Sequence, residues 1–232
     1  MEGQLHKEFL RKFLASSKLF VISYAITALA VMAFLFNGIY RRTIVVQRIP
    51  GHEALSAEEA EKIQAGDIIL IQGILSSADL IMKICAERVP VSHTGMVVEL
   101  QGVLSVVHTV NNTLSGIDGM QMHVLSEFAA RARPFSLIVV RPRWKSAEQR
   151  EKALVYVVSR LDKAVSFDNS FNFSDDSELY CTELLARALD YAGFWNSREN
   201  GLFVKTIFAF SNFLDRERFE PLLSHHPGFP VP

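Results

Sequence analysis

The sequence predicts an α+β domain in which helices pack on an antiparallel β-sheet, with one transmembrane helix before this domain. Short apolar runs bounded by turn residues indicate the strands, capping signals indicate the helices, and an uncharged N-terminal stretch indicates the membrane span. The chain has 232 residues, of which 49% are hydrophobic, so it is long enough for one sizeable core. Its net charge is −1 and it has no basic stripe interleaved with aromatic residues, so nothing indicates nucleic-acid binding.

The predicted transmembrane helix runs from Leu19 to Tyr40, a stretch of about 22 residues without a charge. At about 1.5 Å per residue, a helix of this length spans a bilayer core. Its length, and the basic pair that follows it, favour an uncleaved anchor over a cleavable signal peptide. Basic residues before the span slightly outnumber those after it, with Lys7, Arg11, Lys12 and Lys18 against Arg41, Arg42 and Arg48. This bias favours a cytoplasmic N-terminus, so we expect a single-pass protein of a bacterial inner membrane with its main domain in the periplasm.

The chain divides at the ends of this span. The segment before it has Leu5, Phe9 and Phe13 at helical spacing, which suits a helix lying at the membrane surface. We expect a cytoplasmic or interfacial segment at 1–18, the anchor at 19–40, a linker with a short helix at 41–65, and the main domain at 66–232.

Strands are predicted where apolar or β-branched residues run between turn signals. The first covers Ile68 to Ile71, and two longer strands, Thr94 to Leu100 and Val103 to Val110, are joined at Gln101-Gly102 as a tight hairpin. A fourth covers Ser136 to Val140. The hairpin indicates antiparallel pairing.

Helices are predicted from capping boxes and helical periodicity. Ser56 with Glu59 opens a helix that ends near Gln64, and Ser146 with Gln149 opens one that ends near Asp162. Further helices are expected at Ser77 to Glu87, Leu125 to Arg131, Leu179 to Tyr191 and Lys205 to Leu214. The last of these is rich in phenylalanine, which suits core packing, a membrane surface or an acyl pocket.

Cys181 is the residue with the clearest chemical potential. It follows a polar, turn-forming stretch and opens a predicted helix, where the helix dipole and unpaired N–H groups favour a thiolate and can receive an oxyanion. Cys85 lies in the middle of an apolar helix face and is expected to be structural. Two cysteines so far apart form neither a disulfide framework nor a metal-binding pair.

Two histidines are candidate partners for this thiol. A lone histidine in an apolar run is most often structural, but the predicted hairpin places His93 and His108 close together on neighbouring strands. His93 then suits the role of base and His108 that of the group that orients it. The remaining candidates, His123, His225 and His226, lack a metal-like set of partners and are expected to be exposed or structural.

Four motifs together resemble a known family. They are Gly66-Asp67-Ile68-Ile69, Ser92-His93-Thr94-Gly95-Met96, the segment from Phe167-Asp168 to Asp175-Asp176, and Tyr180-Cys181-Thr182-Glu183-Leu184. In this order they resemble the circularly permuted papain-like hydrolases of the NlpC superfamily, and within it the YiiX group. The resemblance covers Gly66 to Leu185, about half of the chain.

The resemblance implies a permuted papain-like fold with Cys181 as nucleophile, His93 as base and His108 as third residue. We expect no metal and no cofactor. The YiiX group has glutamate in the third position, so the histidine here is a departure, and it stabilises an imidazolium less than a carboxylate does. The same motifs contribute supporting or substrate-binding candidates, namely Asp67, Ser92, Asp168, Tyr180 and Thr182. Glu99 is about 20 Å along the strand from His93 and is expected to be a surface residue.

Three functions fit these features. The first is a membrane-anchored thiol hydrolase that cleaves amide or peptide bonds, including those of cell-wall peptides, through an acyl-enzyme. The second is an acyltransferase or thioesterase that uses the same residues on a lipid, which the anchor, the third-position histidine and the phenylalanine-rich segment favour. The third is a catalytically silent binding domain.

Overall fold

The computed structural model describes residues 55–73, 89–112, 116–198, 203–204 and 207–231, and all of them belong to one compact unit. The predicted anchor from Leu19 to Tyr40, the predicted helix from Ser77 to Glu87 and Cys85 lie outside these ranges. Within the described ranges, no helix combines the length and the hydropathy that a membrane crossing requires.

The described strands build one large sheet and one small ladder. In chain order they are β1 Ile68–Ile71, β2 His93–Leu100, β3 Val103–Val110, β4 Gly119–Val124, β5 Ile138–Pro142, β6 Phe203–Val204, β7 Ile207–Phe208 and β8 Phe219–Ser224. Six of them form a sheet of order β4-β3-β2-β1-β5-β8, in which every neighbouring pair is antiparallel, and β6 pairs with β7 alone. The predicted antiparallel sheet is therefore confirmed.

The turn between β2 and β3 sets the register of the hairpin. Gln101 has a φ of 52° and Gly102 a φ of 77°, the left-handed pair that a two-residue turn of type I′ requires. Leu100 pairs with Val103, and Met96 pairs with Val107. The predicted hairpin is confirmed, and β2 begins one residue earlier than predicted, at His93.

The helices are α1 Ala57–Ala60, α2 Leu125–Ala129, α3 Ala147–Asp162 and α4 Cys181–Tyr191, followed by a 3-10 helix at Phe210–Leu214. The predicted box at Ser56 and Glu59 is present, with bonds of 3.3 and 2.8 Å, but α1 ends at Ala60 and is shorter than predicted. At α3, Ser146 accepts from the Gln149 N–H, but the Gln149 side chain accepts from the Lys145 N–H instead of completing the box.

The sheet separates two hydrophobic clusters. Alternation along β1 sends Ile68 and Leu70 to one face and Ile69 and Ile71 to the other. The first face packs against α3 and α4, and we call it the α4 face; the second packs against α2 through Leu125 and Phe128, and we call it the α2 face. The two faces decide which side chains can meet.

The fold differs from the prediction in its edge strands and in its phenylalanine-rich segment. Strands β4 and β8 were not predicted, and they form the two edges of the six-stranded sheet, beside β3 and β5. The phenylalanine-rich segment was predicted as one helix, but its described part forms β7 and a 3-10 helix. Its side chains Phe208, Phe210 and Phe213 are buried in the cluster of the α4 face, so of the roles predicted for them, core packing is the one observed.

Asp67, which was predicted as a supporting site residue, is held at the start of β1 by an ion pair in which its carboxylate is buried. Its carboxylate accepts two bonds from the Arg141 guanidinium, at 2.8 and 2.9 Å, and one from the Gln64 N–H. Burial raises the pKa of Asp67, and the Arg141 charge opposes that rise. His93 lies at the other end of β1, opposite Ile71, so Asp67 is about 13 Å away along the strand.

Arg141→Met is expected to lower the free energy of unfolding by about 3 kcal/mol, because it leaves a buried carboxylate without its cation. The double variant with Asp67→Asn should recover part of this loss, because a neutral amide is cheaper to bury than a carboxylate. Urea unfolding of the full-length protein measures both. Arg143→Met, at an exposed position after β5, is the control and should change stability by less than about 0.5 kcal/mol. Equal losses of stability in Arg141→Met and Arg143→Met would contradict a specific role for the pair of Asp67 and Arg141.

Candidate active site

Three histidines form a continuous hydrogen-bonded relay across β2, β3 and β4. His93 Nε2 lies 3.0 Å from His108 Nδ1, and His108 Nε2 lies 2.8 Å from His123 Nδ1. The Arg131 guanidinium, just after α2, lies 3.3 Å from the same nitrogen of His123. The predicted pairing of His93 with His108 is therefore present. We call the four side chains the histidine relay.

Strand register explains why these rings meet. Met96 pairs with Val107, so Gly95 lies opposite His108 in the next pair along the hairpin. A side chain at Gly95 would collide with its neighbours, because a Cβ there would lie 2.5 Å from a Val106 methyl group and 3.1 Å from the His108 Cβ. The glycine two residues after His93 therefore leaves the space that the second ring occupies.

All three rings of the relay lie on the α2 face. The Phe128 ring of α2 lies 5.6 Å from the His93 ring and 5.0 Å from the His108 ring, measured between centroids. His108 is 1% exposed, while His93 and His123 are partly buried. Aromatic cover on one side and the sheet on the other remove the rings from water.

The surroundings of the relay favour neutral imidazoles. Burial lowers the pKa of His93 to about 4, and the charges of Arg131 and His123 act in the same direction. Burial also lowers the pKa of His108 well below its ordinary value. The pKa of His123 falls to about 4 through burial and Arg131, against an opposing effect of Glu127. At neutral pH the three imidazoles of the relay are therefore neutral, and Arg131 carries its positive charge.

Cys181 is the first residue of α4 and is 8% exposed, so the predicted placement of the thiol at a helix N-terminus is confirmed. The Thr109 hydroxyl, next to His108 in β3, donates to the Leu179 carbonyl at 3.1 Å. This bond ties the start of α4 to the end of the sheet that carries His93 and His108. The Tyr180 hydroxyl accepts from the Phe208 N–H at 3.1 Å, which fixes the chain just before the cysteine.

The thiol and the relay belong to opposite faces of the sheet. Cys181 is part of the cluster on the α4 face, whereas His93 and His108 pack with Phe128 on the α2 face. Thr109 points to α4 and its neighbour His108 points away from it, as alternation along a strand requires. The thiol and the imidazole, which were predicted to meet, therefore lie at the same end of the sheet but on opposite faces.

Two other predicted supporting residues, Ser92 and Asp168, accept hydrogen bonds from backbone N–H groups near the site. The Ser92 hydroxyl accepts from the Gly73 N–H at 3.0 Å, beside the first residue of β2. Asp168 accepts from the backbone of Ser170 and of Asn172, so it shapes the turn before α4 as expected of a turn aspartate. Thr182 is 1% exposed, and its hydroxyl has no hydrogen-bond partner among the described residues.

Glu183 has a larger structural role than a charge complementing the helix dipole. It is fully buried, and its carboxylate accepts from the Arg187 guanidinium at 2.8 Å and from the Tyr180 N–H at 3.4 Å. Burial raises the pKa of Glu183 to about 7, and Arg187 opposes this rise. Arg187 also donates to the Phe173 carbonyl at 2.9 Å, so this pair joins α4 to the segment that precedes Cys181.

His123 corrects the prediction that this residue is merely exposed or structural. The His123 ring joins the relay through its bond to His108. This role depends on strand β4, which pairs with β3 so that His123 lies opposite Val106, and the sequence did not predict that strand. The two other histidines stay outside the relay: His225 pairs with Glu59 at 2.9 Å, and His226 accepts from the Gly228 N–H. Glu99 is exposed, as predicted.

The relay does not have the form of a metal site. Within the described ranges, no group of three or more histidine, cysteine, aspartate or glutamate side chains is arranged to hold a metal ion. Ring nitrogens that face each other at 3.0 and 2.8 Å share hydrogens along a chain, whereas metal ligands direct their lone pairs at one common point. The described histidines therefore do not fit a resident metal.

The sequence matches no family profile and no curated protein. Among solved structures, the chain is similar to the metalloprotein YiiX from Escherichia coli O157:H7, with a TM-score of 0.58 and 19% sequence identity. The likeness covers 72% of this chain and 99% of that one. It shows that the chain has the YiiX-like fold, a six-stranded antiparallel sheet packed against helices.

Acidification is expected to destabilise the protein through the relay. The folded pKa of His93 lies near 4, so the unfolded chain binds an extra proton between about pH 6.5 and 4. The free energy of unfolding therefore decreases as the pH is lowered across this window. The pKa of Glu183 is raised to about 7 and acts in the opposite direction, so the comparison must be made between variants that share Glu183. Relative to His93→Gln, the unmodified protein should lose up to about 1.4 kcal/mol more per pH unit.

Urea unfolding of the full-length protein at several pH values between 4 and 7 measures this difference. His226→Gln is the matched control, because this ring lies outside the relay, and it should keep the pH dependence of the unmodified protein. A pH dependence that is identical in all three proteins would contradict a neutral, buried His93.

Proposed function

We propose that this chain is a cysteine hydrolase of the circularly permuted papain-like type, acting on amide or peptide bonds. The observation that carries the proposal is the bond of His93 Nε2 to His108 Nδ1, since it places an orienting group behind a candidate base. Nδ1 of His93 takes no part in that bond and is the nitrogen that can accept a thiol proton. The placement of Cys181 at the start of α4 supports the nucleophile, and the YiiX-like fold supports the architecture.

The reaction proceeds through an acyl-enzyme. The Cys181 proton moves to Nδ1 of His93 while Sγ attacks the carbonyl carbon, and N–H groups in the first turn of α4 receive the developing oxyanion. The tetrahedral intermediate expels the amine, which takes the proton from His93 and leaves a thioester on Cys181. A water molecule, deprotonated by His93, then attacks the thioester, releasing the acid and restoring the thiol.

The thiol and the base meet at the end of the sheet in this proposal. His93 is the first residue of β2, and we infer that a side chain from the α4 face can reach its ring around this end of the sheet. The bond from Thr109 to Leu179 brings α4 to this same end. A hydrolase needs these side chains within hydrogen-bond reach during the reaction, and the experiment below tests this requirement directly.

The cellular setting is part of the proposal. With an anchor at Leu19 to Tyr40 and a periplasmic main domain in a bacterial inner membrane, the accessible amide bonds include those of cell-wall peptides. The net charge of −1 gives no sign of nucleic-acid binding and agrees with a peptide or other amide substrate.

The phenylalanine-rich segment gives the lipid-acting alternative less support than its sequence suggested. Phe208, Phe210 and Phe213 are buried in the core, so they are not available as a membrane-binding surface. The predicted anchor and the third-position histidine still suit an acyltransferase or thioesterase. A catalytically silent binding domain is the remaining alternative, and it predicts an unreactive thiol.

Cys181 of the full-length protein should react with iodoacetamide near neutral pH faster than Cys85, because a base removes its proton. His93→Ala should slow alkylation of Cys181 by at least about tenfold, the scale of a lost general base. Mass spectrometry of tryptic peptides measures both thiols in one sample, so Cys85 serves as the internal reference. His226→Ala is the control and should leave the rates unchanged. Equal, slow reaction of both thiols would support a binding domain and sink the hydrolase.

The class of substrate can be determined by trapping the acyl-enzyme. Incubation with cell-wall peptide fragments, followed by acid quenching, should leave a peptidyl adduct on Cys181 that is visible by intact mass. The same procedure with acyl-chain esters gives a fatty-acyl adduct if the lipid alternative holds. Cys181→Ala is the control for both arms, and an adduct that persists in this variant would exclude Cys181 as the nucleophile.

A further inference from the structure

The histidine relay continues beyond the base and the orienting group that the proposed mechanism uses. Its far end is the contact of 3.3 Å between Arg131 Nη1 and His123 Nδ1. The same nitrogen of His123 faces His108 Nε2 at 2.8 Å. One ring nitrogen therefore faces both a guanidinium and the next imidazole.

The guanidinium settles where the hydrogens of the relay lie. Arginine carries only donors, so His123 Nδ1 is the acceptor in its contact with Arg131, and its one lone pair is then shared between the guanidinium at 3.3 Å and the His108 ring at 2.8 Å. Since that nitrogen then has no hydrogen, His108 Nε2 must supply the hydrogen in the 2.8 Å bond. A neutral imidazole has one N–H, which leaves His108 Nδ1 as an acceptor.

The same reasoning reaches the candidate base. Because His108 Nδ1 accepts, His93 Nε2 must donate in the bond of 3.0 Å. His93 then carries its hydrogen on Nε2 and a lone pair on Nδ1. In the reverse direction, every ring would carry its hydrogen on Nδ1, and His93 would have no lone pair available for a thiol proton.

Neutrality is the condition for this chain of deductions, since a doubly protonated ring donates from both nitrogens. The rings are buried between Phe128 and the sheet, and the pKa values of His93 and His123 fall to about 4. Arg131 contributes to both shifts, while Glu127 is the acidic group that opposes the shift at His123. Burial is the main cause of the neutral rings, and the charge of Arg131 acts in the same direction.

We propose that Arg131 and His123 are positioning residues that orient the hydrogens of the relay, so that His93 presents an unprotonated Nδ1. The catalytic value of this arrangement rests on the proposed function, but the hydrogen pattern can be measured without it. The relay thereby uses a cation and two additional imidazoles where a shorter triad uses one orienting group.

The hydrogen pattern can be observed directly in the full-length protein, kept in a mild detergent and labelled with ¹⁵N-histidine. Two-bond ¹H–¹⁵N correlation spectra at pH 7 distinguish the two tautomers of each ring, and single His→Gln variants assign the signals. We expect the Nε2–H tautomer at His93, His108 and His123. A predominant Nδ1–H tautomer at His93 or His108 would overturn the proposal without any need for a variant at Arg131.

Two substitutions test the part played by the cation. Arg131→Lys retains a group that only donates and should keep the Nε2–H pattern and the alkylation rate of Cys181. Arg131→Met removes the donor, so both directions become populated, and the His93-dependent alkylation rate should fall about twofold or more. Arg143→Met, which removes a charge at an exposed position, is the control and should alter neither measurement. Unchanged tautomers in a folded Arg131→Met protein would overturn the role of Arg131.

The two proposals fail in different ways. If the tautomers are as expected and respond to Arg131→Met, but alkylation of Cys181 is indifferent to His93→Ala, the relay stands and the hydrolase falls. If alkylation of Cys181 depends on His93 but the tautomers are unchanged in Arg131→Met, the hydrolase proposal stands and the positioning role of Arg131 is contradicted. A purely structural role for Arg131 predicts a loss of stability with no change of tautomer.

Discussion

The register of the β2–β3 hairpin is the constraint on which the candidate site depends. Side chains alternate between the faces of a sheet, so a slip of one residue would move His108 from the α2 face to the α4 face and break its bond to His93. Two local features hold the register. The left-handed pair Gln101-Gly102 permits a two-residue turn, and Gly95 leaves room for the ring opposite it. A sequence feature of the turn, some six residues from the nearest histidine, thus decides the chemistry of the site.

Much of this arrangement could be predicted from the sequence because its causes are local. The capping residue Ser56, the turn at Gln101-Gly102 and the apolar run of β1 each specify their own structure. The placement of Cys181 at a helix start follows from the polar segment before it and the helical periodicity after it. His93 and His108 could be paired because a two-residue turn makes their separation along the hairpin a matter of counting.

The rest depends on contacts that no local pattern encodes. Strand β4 alternates apolar and polar residues, but apolar Met122 and Val124 are exposed while polar Gln121 is buried, the reverse of the usual pattern of a half-buried strand. Without this strand His123 had no partner. The segment around Phe208 has helical spacing, but tertiary packing draws it into β7 and a 3-10 helix beside Trp195. Which face of the sheet α4 covers also depends on the whole topology. The thiol and the base were therefore predicted to lie together, although Cys181 belongs to the α4 face and His93 to the α2 face.

The composition of the relay has a consequence for how a thiol could be activated here. In a triad that ends in a carboxylate, the negative charge stabilises an imidazolium and favours a thiolate-imidazolium pair before substrate arrives. This relay ends in Arg131, and burial together with the Arg131 charge lowers the pKa of His93 and so disfavours that pair. The resting state is then a neutral thiol beside a neutral base, and the proton must move as Sγ attacks the carbonyl. In such a site His93 takes the thiol proton as a general base while Sγ attacks an electrophile, iodoacetamide included, so activation depends on the hydrogen order that Arg131 sets.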